Sequence, residues 1–183
     1  MGIVFVTGNE KKAKYFSELI GLPIEHQKVE IHEIQSLDPL KIADHKVKEA
    51  YKQIKRPVIV EDVSLIIIAL GKLPGPFIKW FIDELGLEGL CRLADRDKHR
   101  KATASCVYSY YVGQTLKHFE GSLEGSIAQH PRGASGFGWN PIFIPHYSQQ
   151  TLAEMDDKTF KEAYLQIKPI NQVREFLLGL DIE

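Results

Sequence analysis

The stretch from Val58 to Phe81, VIVEDVSLIIIALGKLPGPFIKWF, constrains this chain more than any other. Its apolar run Val58–Val60 predicts a buried strand that ends on two acids, Glu61 and Asp62. A carboxylate beside a buried strand costs free energy unless it is paired, hydrogen-bonded or bound to a cation. Because open α/β sheets bind ligands at the carboxyl ends of their strands, Asp62 is a candidate metal ligand or general base. A solvated turn is the alternative for both acids.

The second half of this stretch leads into an aromatic and cationic segment. The apolar run Leu65–Leu70 is followed by a loop rich in glycine and proline, and then by Phe77–Phe81, which contains Lys79. The leucines that come next predict one or two short helices, broken at Gly86. Residues 95–100, which are mostly charged, predict a solvated turn.

The N-terminal residues predict a strand, a turn and a helix in succession. Ile3–Val6 is a short apolar run, Thr7–Asn9 break it, and apolar residues then recur at helical spacing as far as Gly21. Free N–H groups at a helix N-terminus attract phosphate, and the side chain of Lys12 can reach back over that end. The segment is therefore either a phosphate cradle or a capped helix with solvated lysines.

The next segment predicts an α/β fold. Loose alternation predicts a strand over Ile24–Ile31, with Glu33 just beyond it. An N-cap at Asp38 followed by proline predicts an amphipathic helix from Asp38 to Lys55, which leads into the strand at Val58. A strand, a helix and another strand favour crossover units and a partly parallel sheet. The later elements are predicted to be a hairpin over Ala102–Val112 and Thr115–Phe119, its continuation to Gln129, and helices over Asp156–Ile167 and Pro169–Leu178.

A second dense loop runs from His130 to Pro141. Three glycines lie around two aromatic residues, so the backbone can approach a flat ligand while Phe137 or Trp139 stacks on it. The alternative is a tight corner whose aromatic side chains pack into the core.

Composition narrows the classes of function. The formal net charge is −1, so the chain lacks the large basic field that holds a nucleic-acid polymer. No apolar run reaches membrane-spanning length, and the two cysteines, Cys91 and Cys106, are typical of small core residues in a reducing cytoplasm. A length of 183 residues suits one domain, residues 1–183. We therefore expect a single cytoplasmic domain that binds neither nucleic-acid polymers nor membranes.

Three segments together resemble the inosine triphosphate pyrophosphatase family. They are VFVTGNEKK (Val4–Lys12), VEDVSLIIIALGKLPGPFIKWF (Val60–Phe81) and PRGASGFGWNPIF (Pro131–Phe143), with LAEM (Leu152–Met155) as a fourth, weaker match. Each motif is modest alone, but their order, their spacing and the total length agree over nearly the whole chain. The LPGPFIKWF portion is especially close to the eukaryotic-type members of the family.

The resemblance implies an elongated α/β fold, with a mixed β-sheet flanked by helices and two lobes around a central cleft. It implies Mg²⁺-dependent hydrolysis of non-standard purine nucleoside triphosphates (ITP, dITP and XTP) to a monophosphate and pyrophosphate. It also implies a homodimer. The chemistry is coherent, because lysines and helix N–H groups suit a polyanion and Mg²⁺ prefers carboxylates together with water and phosphate oxygens.

The resemblance also implies roles for single residues. Glu33 and Asp62 would bind Mg²⁺ or activate water, with Glu61 beside them, while Phe137 and Trp139 would flank the base. The implied catalytic residues are Lys12, Asp62 and Lys79, and the implied substrate-binding residues are Thr7, Asn9, Lys12, Lys79, Phe137, Gly138, Trp139, Asn140 and Lys161.

The chain departs from the family pattern in two places. Asn140 stands where the family usually has an acid, and asparagine cannot act as a base. The Ser-His-Arg element that reads the 6-keto purine is missing from residues 157–169, where Lys161 or Lys158 stands in for a family lysine and Gln166 is a candidate donor to the keto oxygen. Loss of such contacts affects base selectivity more than hydrolysis.

Three functions therefore stay open. The first is an active pyrophosphatase with unchanged or altered base selectivity. The second is a nucleotide-binding homologue with little or no catalysis. The third is an unrelated phosphatase, which would release orthophosphate instead of pyrophosphate.

Overall fold

The computed structural model describes residues 2–180, in which the chain forms a mixed sheet of seven strands together with five α-helices. The elements are β1 (Ile3–Val6), α1 (Glu10–Ile20), β2 (Ile24–Gln27), α2 (Pro39–Ile54), β3 (Val58–Ile67), β4 (Pro74–Gly75), α3 (Ile78–Leu93), β5 (Lys101–Val112), β6 (Thr115–Ile127), β7 (Phe143–Pro145), α4 (Asp157–Ile167) and α5 (Ile170–Leu178). The strands lie in the order β2-β1-β3-β5-β6-β7, with β4 paired to β3. The α/β prediction with a mixed sheet is confirmed. Within the same residues, no helix has both the length and the apolar character needed to cross a bilayer.

The first three strands form the parallel part of the sheet. β1 pairs with β2 along its whole length, and residues 4–6 of β1 pair with residues 58–60 of β3. A helix connects each of these strands to the next along the chain, as parallel pairing requires. The predicted crossover units are therefore confirmed.

Side chains of β1 and β3 alternate between two layers of core. The valines of both strands pack with Val47 and Ala50 of α2. The ring of Phe5 from β1 packs instead on Phe16 of α1, with the two centroids 4.4 Å apart. Because successive residues of a strand point to opposite faces, α2 covers one face of this part of the sheet and α1 covers the other.

Helix boundaries follow local capping signals. Asn9, Asp38 and Asp156 each accept hydrogen bonds from backbone N–H groups at the start of a helix. Gly21 ends α1 with φ of 63°, a left-handed conformation that glycine adopts at little cost. Such caps act within a few residues, which is why the predicted helices agree with the observed ones almost to the residue.

The chain divides into two compact units. Unit 1 comprises the residues up to Asp62, the segment Cys106–Glu120 and the residues from Pro169 onward. Unit 2 comprises Val63–Ser105 and Gly121–Lys168. Strands β3, β5 and β6 each contribute residues to both units, so each unit is assembled from separate segments of the chain.

Two predicted strand boundaries are wrong. The strand predicted over Ile24–Ile31 ends at Gln27, because its partner β1 ends opposite that residue at Val6. The strand predicted to end at Val60 continues to Ile67, because β4 pairs with residues 65 and 66. Glu61 and Asp62 therefore lie inside a strand, neither at its end nor in a turn.

After β4 the helix begins earlier than predicted, but its break lies at the predicted residue. The helix begins at Ile78, so Lys79 and Trp80 are helical. Gly86 breaks the helix as predicted, with φ of 63° and ψ of 177°.

The prediction of a solvated turn over residues 95–100 is wrong for Arg100. Its guanidinium donates to the carbonyls of Cys91 at 2.7 Å, Ile127 at 2.8 Å and Ala128 at 2.8 Å, and it also pairs with Asp95. Through these hydrogen bonds, Arg100 joins the end of α3 to the end of β6. Both ends belong to unit 2.

Candidate functional site

The two acids of β3 point to opposite faces of the sheet. Val58 and Val60 pack toward α2, and alternation places Asp62 on their side. Glu61 lies on the opposite face, where it meets residues of α1 and β5. The candidate site in unit 1 therefore consists of two neighbouring clusters, one on each side of the strand.

The Glu61 cluster is fully paired. The carboxylate is buried, with Oε1 2.8 Å from Lys12 Nζ and Oε2 accepting a hydrogen bond of 2.7 Å from Tyr108 Oη. The Tyr108 ring lies 5.2 Å from Phe16, centroid to centroid, so the pair lies beside an aromatic core. The lysine that the sequence predicts for phosphate binding is thus held by an acid of the same unit.

The start of α1 is a capped helix. Asn9 Oδ1 accepts from the backbone N–H of Lys12 at 3.1 Å, and the N–H of Asn9 donates to Thr7 Oγ1 at 3.2 Å. The ring of His26 from β2 lies 2.7 Å from the Thr7 carbonyl oxygen. These bonds fix the backbone of residues 7–12 and leave the Lys12 ammonium directed at Glu61.

The Asp62 cluster contains a lysine that the sequence reasoning missed. Lys46 Nζ lies 2.8 Å from Glu33 Oε1 and donates to the Glu61 carbonyl at 3.3 Å. The signal for this lysine is its place on α2, between Ala43 and Ala50 on the otherwise apolar face of an amphipathic helix. A cation on such a face needs an acidic partner.

Burial gives Asp62 unusual electrostatics. Desolvation raises its pKa from 3.8 to about 6, the positive charges of Lys46 and Lys12 oppose that rise, and the charges of Glu33 and Glu61 add to it. Its Oδ2 is buried and has no hydrogen-bond partner. A carboxylate oxygen in this state suits a cation or a water proton, because either would compensate its lost hydration.

The glycine-rich loop of unit 2 separates its two aromatic residues. Phe137 is 36% exposed, whereas Trp139 is 9% exposed and packs edge-on against Phe143 with centroids 5.6 Å apart. Phe137 is therefore free to stack on a ligand. Trp139 corresponds to the alternative, an aromatic side chain packed into the core.

Asn140 is a buried structural residue of the same loop. With its amide oriented so that Nδ2 donates to the Phe137 carbonyl at 3.2 Å, Oδ1 accepts from the Phe137 N–H at 3.3 Å. The loop passes tightly over this side chain, since a Cβ at Gly136 would lie 3.0 Å from Asn140 Cβ and 3.1 Å from Asn140 Cγ. Asn140 therefore closes the turn below Phe137.

The remaining predicted residues of unit 2 are exposed. Lys79 lies in the first turn of α3, with Nζ 5.6 Å from the centroid of the Trp80 ring. Lys161 and Lys158 lie on the exposed side of α4, where Gln166 donates to Tyr147 Oη at 3.1 Å. Unit 1 thus brings Lys12, Glu33, Glu61 and Asp62 into two adjoining clusters with Lys46, and unit 2 presents Phe137 and Gly138 on one loop.

Comparison with known proteins identifies the family. The model of the Ham1 family matches residues 3–176, which is nearly the whole chain. The chain belongs to the Ham1 family. The resemblance drawn from the motifs is confirmed by relatives that carry the name of the resembled enzyme.

Curated relatives of this Ham1 family member align over most of its length. A protein of Trypanosoma cruzi named inosine triphosphate pyrophosphatase 2 is 39% identical over 160 residues, which cover 85% of this chain and 82% of that protein. A protein of Yarrowia lipolytica named inosine triphosphate pyrophosphatase is 37% identical, covering 97% of this chain and 96% of its own.

Solved structures of similar proteins share the fold. A HAM1 protein from Coxiella burnetii superposes with a TM-score of 0.86 at 25% identity, covering 98% of this chain and all of that one (100%). A dITP/XTP pyrophosphatase from Mycobacterium abscessus superposes with a TM-score of 0.75 at 24% identity, covering 94% of this chain and 98% of that one. The mixed α/β architecture is therefore that of the Ham1 family.

Proposed function

We propose that this Ham1 family member hydrolyses non-standard purine nucleoside triphosphates (ITP, dITP and XTP) to the monophosphate and pyrophosphate. The observation that carries the proposal is Asp62, whose buried Oδ2 lacks a hydrogen-bond partner among charged neighbours of both signs. Buried carboxylates with perturbed pKa values occur preferentially where acid-base or metal chemistry takes place. The relatives named inosine triphosphate pyrophosphatase support the choice of substrate.

The donors of unit 1 fit a divalent cation, and we propose Mg²⁺ held by Glu33 and Asp62. Glu33 is close enough to Asp62 to raise its pKa, and Asp62 Oδ2 has no other partner. Residues 2–180 contain no cluster of three or more His, Cys, Asp or Glu side chains suited to a metal. Two carboxylates suffice for Mg²⁺, which takes its other ligands from water and substrate phosphates. When bound, it would neutralise phosphate charge and polarise the phosphoryl oxygens.

The side chains of unit 1 supply the rest of the proposed chemistry. Asp62, which in the metal-free protein has a pKa of about 6 and is mostly ionised at neutral pH, orients a water molecule toward the α-phosphorus and accepts its proton. The bond from the α-phosphorus to its bridging oxygen breaks, and that oxygen leaves with the pyrophosphate. Lys12 and Lys46 supply positive charge to the phosphates, while Thr7 and Asn9 fix the backbone from which Lys12 projects.

For unit 2 we propose contacts to the base and additional positive charge. Phe137 stacks on the purine, because it is the exposed aromatic side chain of a loop whose glycines allow close approach. Gly138 lies beside it, and the buried Trp139 and Asn140 shape the loop from below. Lys79 and either Lys161 or Lys158 contact the phosphates, a role that their exposed ammonium groups permit.

Pyrophosphate release is the experiment that tests the proposed function. The purified protein is incubated with ITP, XTP, dITP and the four standard nucleoside triphosphates, in Mg²⁺ and in EDTA. We expect ITP, XTP and dITP to release pyrophosphate in Mg²⁺ and not in EDTA. Release of orthophosphate, or no release from any of these substrates, would refute the proposal.

A second candidate function is nucleotide binding without turnover, and Asn140 favours it. This residue replaces an acid of the family pattern and hydrogen-bonds to the backbone of Phe137. In an inactive homologue, ITP with Mg²⁺ would raise the melting temperature without releasing pyrophosphate.

The variant Asn140→Asp tests whether the asparagine is responsible for weak or absent turnover. A carboxylate in this place would meet the Phe137 carbonyl without a donor, so we expect the free energy of unfolding to fall by about 1–3 kcal/mol and activity not to rise. Asn171→Asp on the exposed face of α5 is the matched control and should change neither. An Asn140→Asp enzyme that is stable and faster would show that the asparagine had impaired an ancestral active site.

We also propose that the two units act as one domain of a cytoplasmic homodimer. Three strands that contribute to both units support a single domain. Two buried free cysteines, Cys91 and Cys106, support a reducing compartment. Trp80, which is 61% exposed, supports an interface between copies.

A further inference from the structure

The loop that carries Phe137 is hydrogen-bonded to the segment Thr151–Glu154, which overlaps the weaker fourth motif, Leu152–Met155. Thr151 is 0% exposed, and its Oγ1 donates at 2.9 Å to the carbonyl of Arg132, the residue immediately before the first glycine of the loop. From the loop, Ser135 Oγ donates to the Ala153 carbonyl at 2.6 Å. Hydroxyl groups on both partners therefore tie the two segments together.

An ion pair reinforces this attachment on its outer side. Arg132 Nη2 lies 3.3 Å from Glu154 Oε2 and donates to the Gln149 carbonyl at 2.8 Å. The same Oε2 accepts from the Thr151 N–H at 2.8 Å, which completes a capping box on this turn. Glu154 thus holds both the start of its own turn and the side chain that precedes the loop.

The backbones of the two segments touch directly. Gly133 has φ of 83°, and a Cβ there would lie 2.4 Å from the Ala153 carbonyl oxygen. The Ala153 N–H donates to the Asn140 carbonyl at 3.2 Å, near the far end of the loop. The loop is therefore held at its start, its middle and its end by residues 151–154.

We propose that Thr151 is a positioning residue for base recognition, acting through the glycine loop (residues 133–138) to set where Phe137 meets the purine. This inference rests on the proposed function. Thr151 is fully buried, so it acts on the substrate through the Arg132 carbonyl and the loop. Its loss should weaken contacts to the base and leave contacts to the phosphates unchanged.

The pair Thr151→Val and Thr151→Ser isolates the hydroxyl. Valine keeps the shape and loses the hydroxyl, which donates to the Arg132 carbonyl and accepts from the Glu154 N–H in the capping box, whereas serine keeps the hydroxyl and loses a methyl group. We expect Thr151→Val to raise the KM for ITP about fivefold, with kcat within about twofold, because one hydrogen bond that positions the loop is lost. The KM of Thr151→Ser should equal that of the parent. Thr103→Val on β5 is the matched control and should behave as the parent.

Inorganic tripolyphosphate separates positioning from general damage. It carries the phosphates without a base, so its inhibition constant against ITP should be unchanged in Thr151→Val. If Thr151 had a purely structural role, its replacement would weaken the binding of tripolyphosphate and the binding of ITP to the same extent. Ser135→Ala provides the same test from the exposed side of the attachment, with little risk to folding, and should also raise KM selectively.

The outcomes distinguish this inference from the proposed function. If the parent is active and both Thr151→Val and Ser135→Ala keep its KM, the inference alone is overturned. An equal loss of affinity for ITP and tripolyphosphate overturns it as well. If the parent releases no pyrophosphate from any non-standard purine, the proposed function fails first and the inference falls with it.

Discussion

At the scale of single residues, Asp62 is a buried carboxyl group whose lost hydration is not compensated by a hydrogen bond to Oδ2. Burial raises its pKa from 3.8 to about 6, and its Oδ2 has no hydrogen-bond partner. Lys46 and Lys12 face it with positive charge, and Glu33 and Glu61 with negative charge. Because the folded pKa exceeds the unfolded one, the penalty is absent below about pH 4 and complete above about pH 6. Asp62 should therefore lower the free energy of unfolding of the metal-free protein most at neutral pH, where the proposed enzyme would work.

Replacing Asp62 by asparagine should abolish the proposed activity and make the folded protein more stable. We expect Asp62→Asn to abolish pyrophosphate release and, in EDTA at about pH 8, to raise the free energy of unfolding by about 2 kcal/mol. At about pH 3 the gain should disappear, because the parental carboxyl is then mostly protonated in both states. Urea unfolding at both pH values measures this, with Asp44→Asn on α2 as the control. An equal gain at both pH values would mean that packing, and not charge, is the cause.

Lys12 should contribute to stability as well as to the proposed catalysis. Its ammonium lies 2.8 Å from the buried Glu61, so Lys12→Met removes this ion pair and leaves the carboxylate buried beside Tyr108 Oη. We expect a loss of about 3 kcal/mol in the free energy of unfolding, largely recovered in the double variant with Glu61→Gln.

The control for that experiment is Lys14 on the same helix. Its side chain is 82% exposed and lies 4.0 Å from Glu18, so Lys14→Met should cost less than about 0.5 kcal/mol. Equal costs at the two lysines would show that helix propensity, and not the buried pair, explains the loss at Lys12.

At the level of elements, α3 is built as two helical segments joined at one glycine. Gly86 has φ of 63° and ψ of 177°, a region that side chains avoid, although a Cβ there would meet nothing within 4 Å. The break lets the segment that carries Lys79 take a direction different from that of the segment ending at Leu93. The constraint on Gly86 is therefore conformational and not steric.

Gly86→Ala should be costly despite the open space around it. We expect the free energy of unfolding to fall by about 2 kcal/mol, because alanine disfavours this backbone conformation. Gly179→Ala, at a position with φ of −82°, should stay within about 0.5 kcal/mol of the parent. Chemical denaturation compares them, and a neutral Gly86→Ala would indicate that α3 straightens at no cost.

For the whole molecule, unit 2 exposes several large apolar side chains within residues 68–85. Trp80, Ile68, Leu85 and Leu73 are between 37% and 61% exposed. Exposed aromatic and aliphatic side chains are typical of protein interfaces. Of these, Trp80 lies in Phe77–Phe81, which together with Tyr108–Tyr111 is one of the two aromatic-rich segments that the sequence offers for contacts between copies.

The proposed homodimer should depend on Trp80. Light scattering after gel filtration should give twice the mass of the 20.8 kDa chain, and Trp80→Lys should shift that mass toward the monomer. Leu178→Lys, at an exposed leucine of α5, should leave the parental mass unchanged. A parent that elutes as a monomer at micromolar concentration removes the dimer from the proposal.

Much of the fold follows from local signals. Helix spacing and caps act within a few residues, so α1, α2, α4 and α5 are predicted almost to the residue, and so is the break at Gly86. Strand ends are less local, because they depend on where a neighbouring strand stops. Hence β2 is shorter and β3 longer than the sequence indicates.

The chain itself determined its family, its mixed α/β class and the acids and lysines around which a polyanion site can form, because motifs and periodicity are written in neighbouring residues. Only the tertiary structure decided how those groups pair. It joined Lys12 to Glu61, added Lys46 beside Glu33, and buried Trp139 while exposing Phe137. Such pairings connect residues far apart in the chain, and their strength depends on burial, which no local pattern encodes.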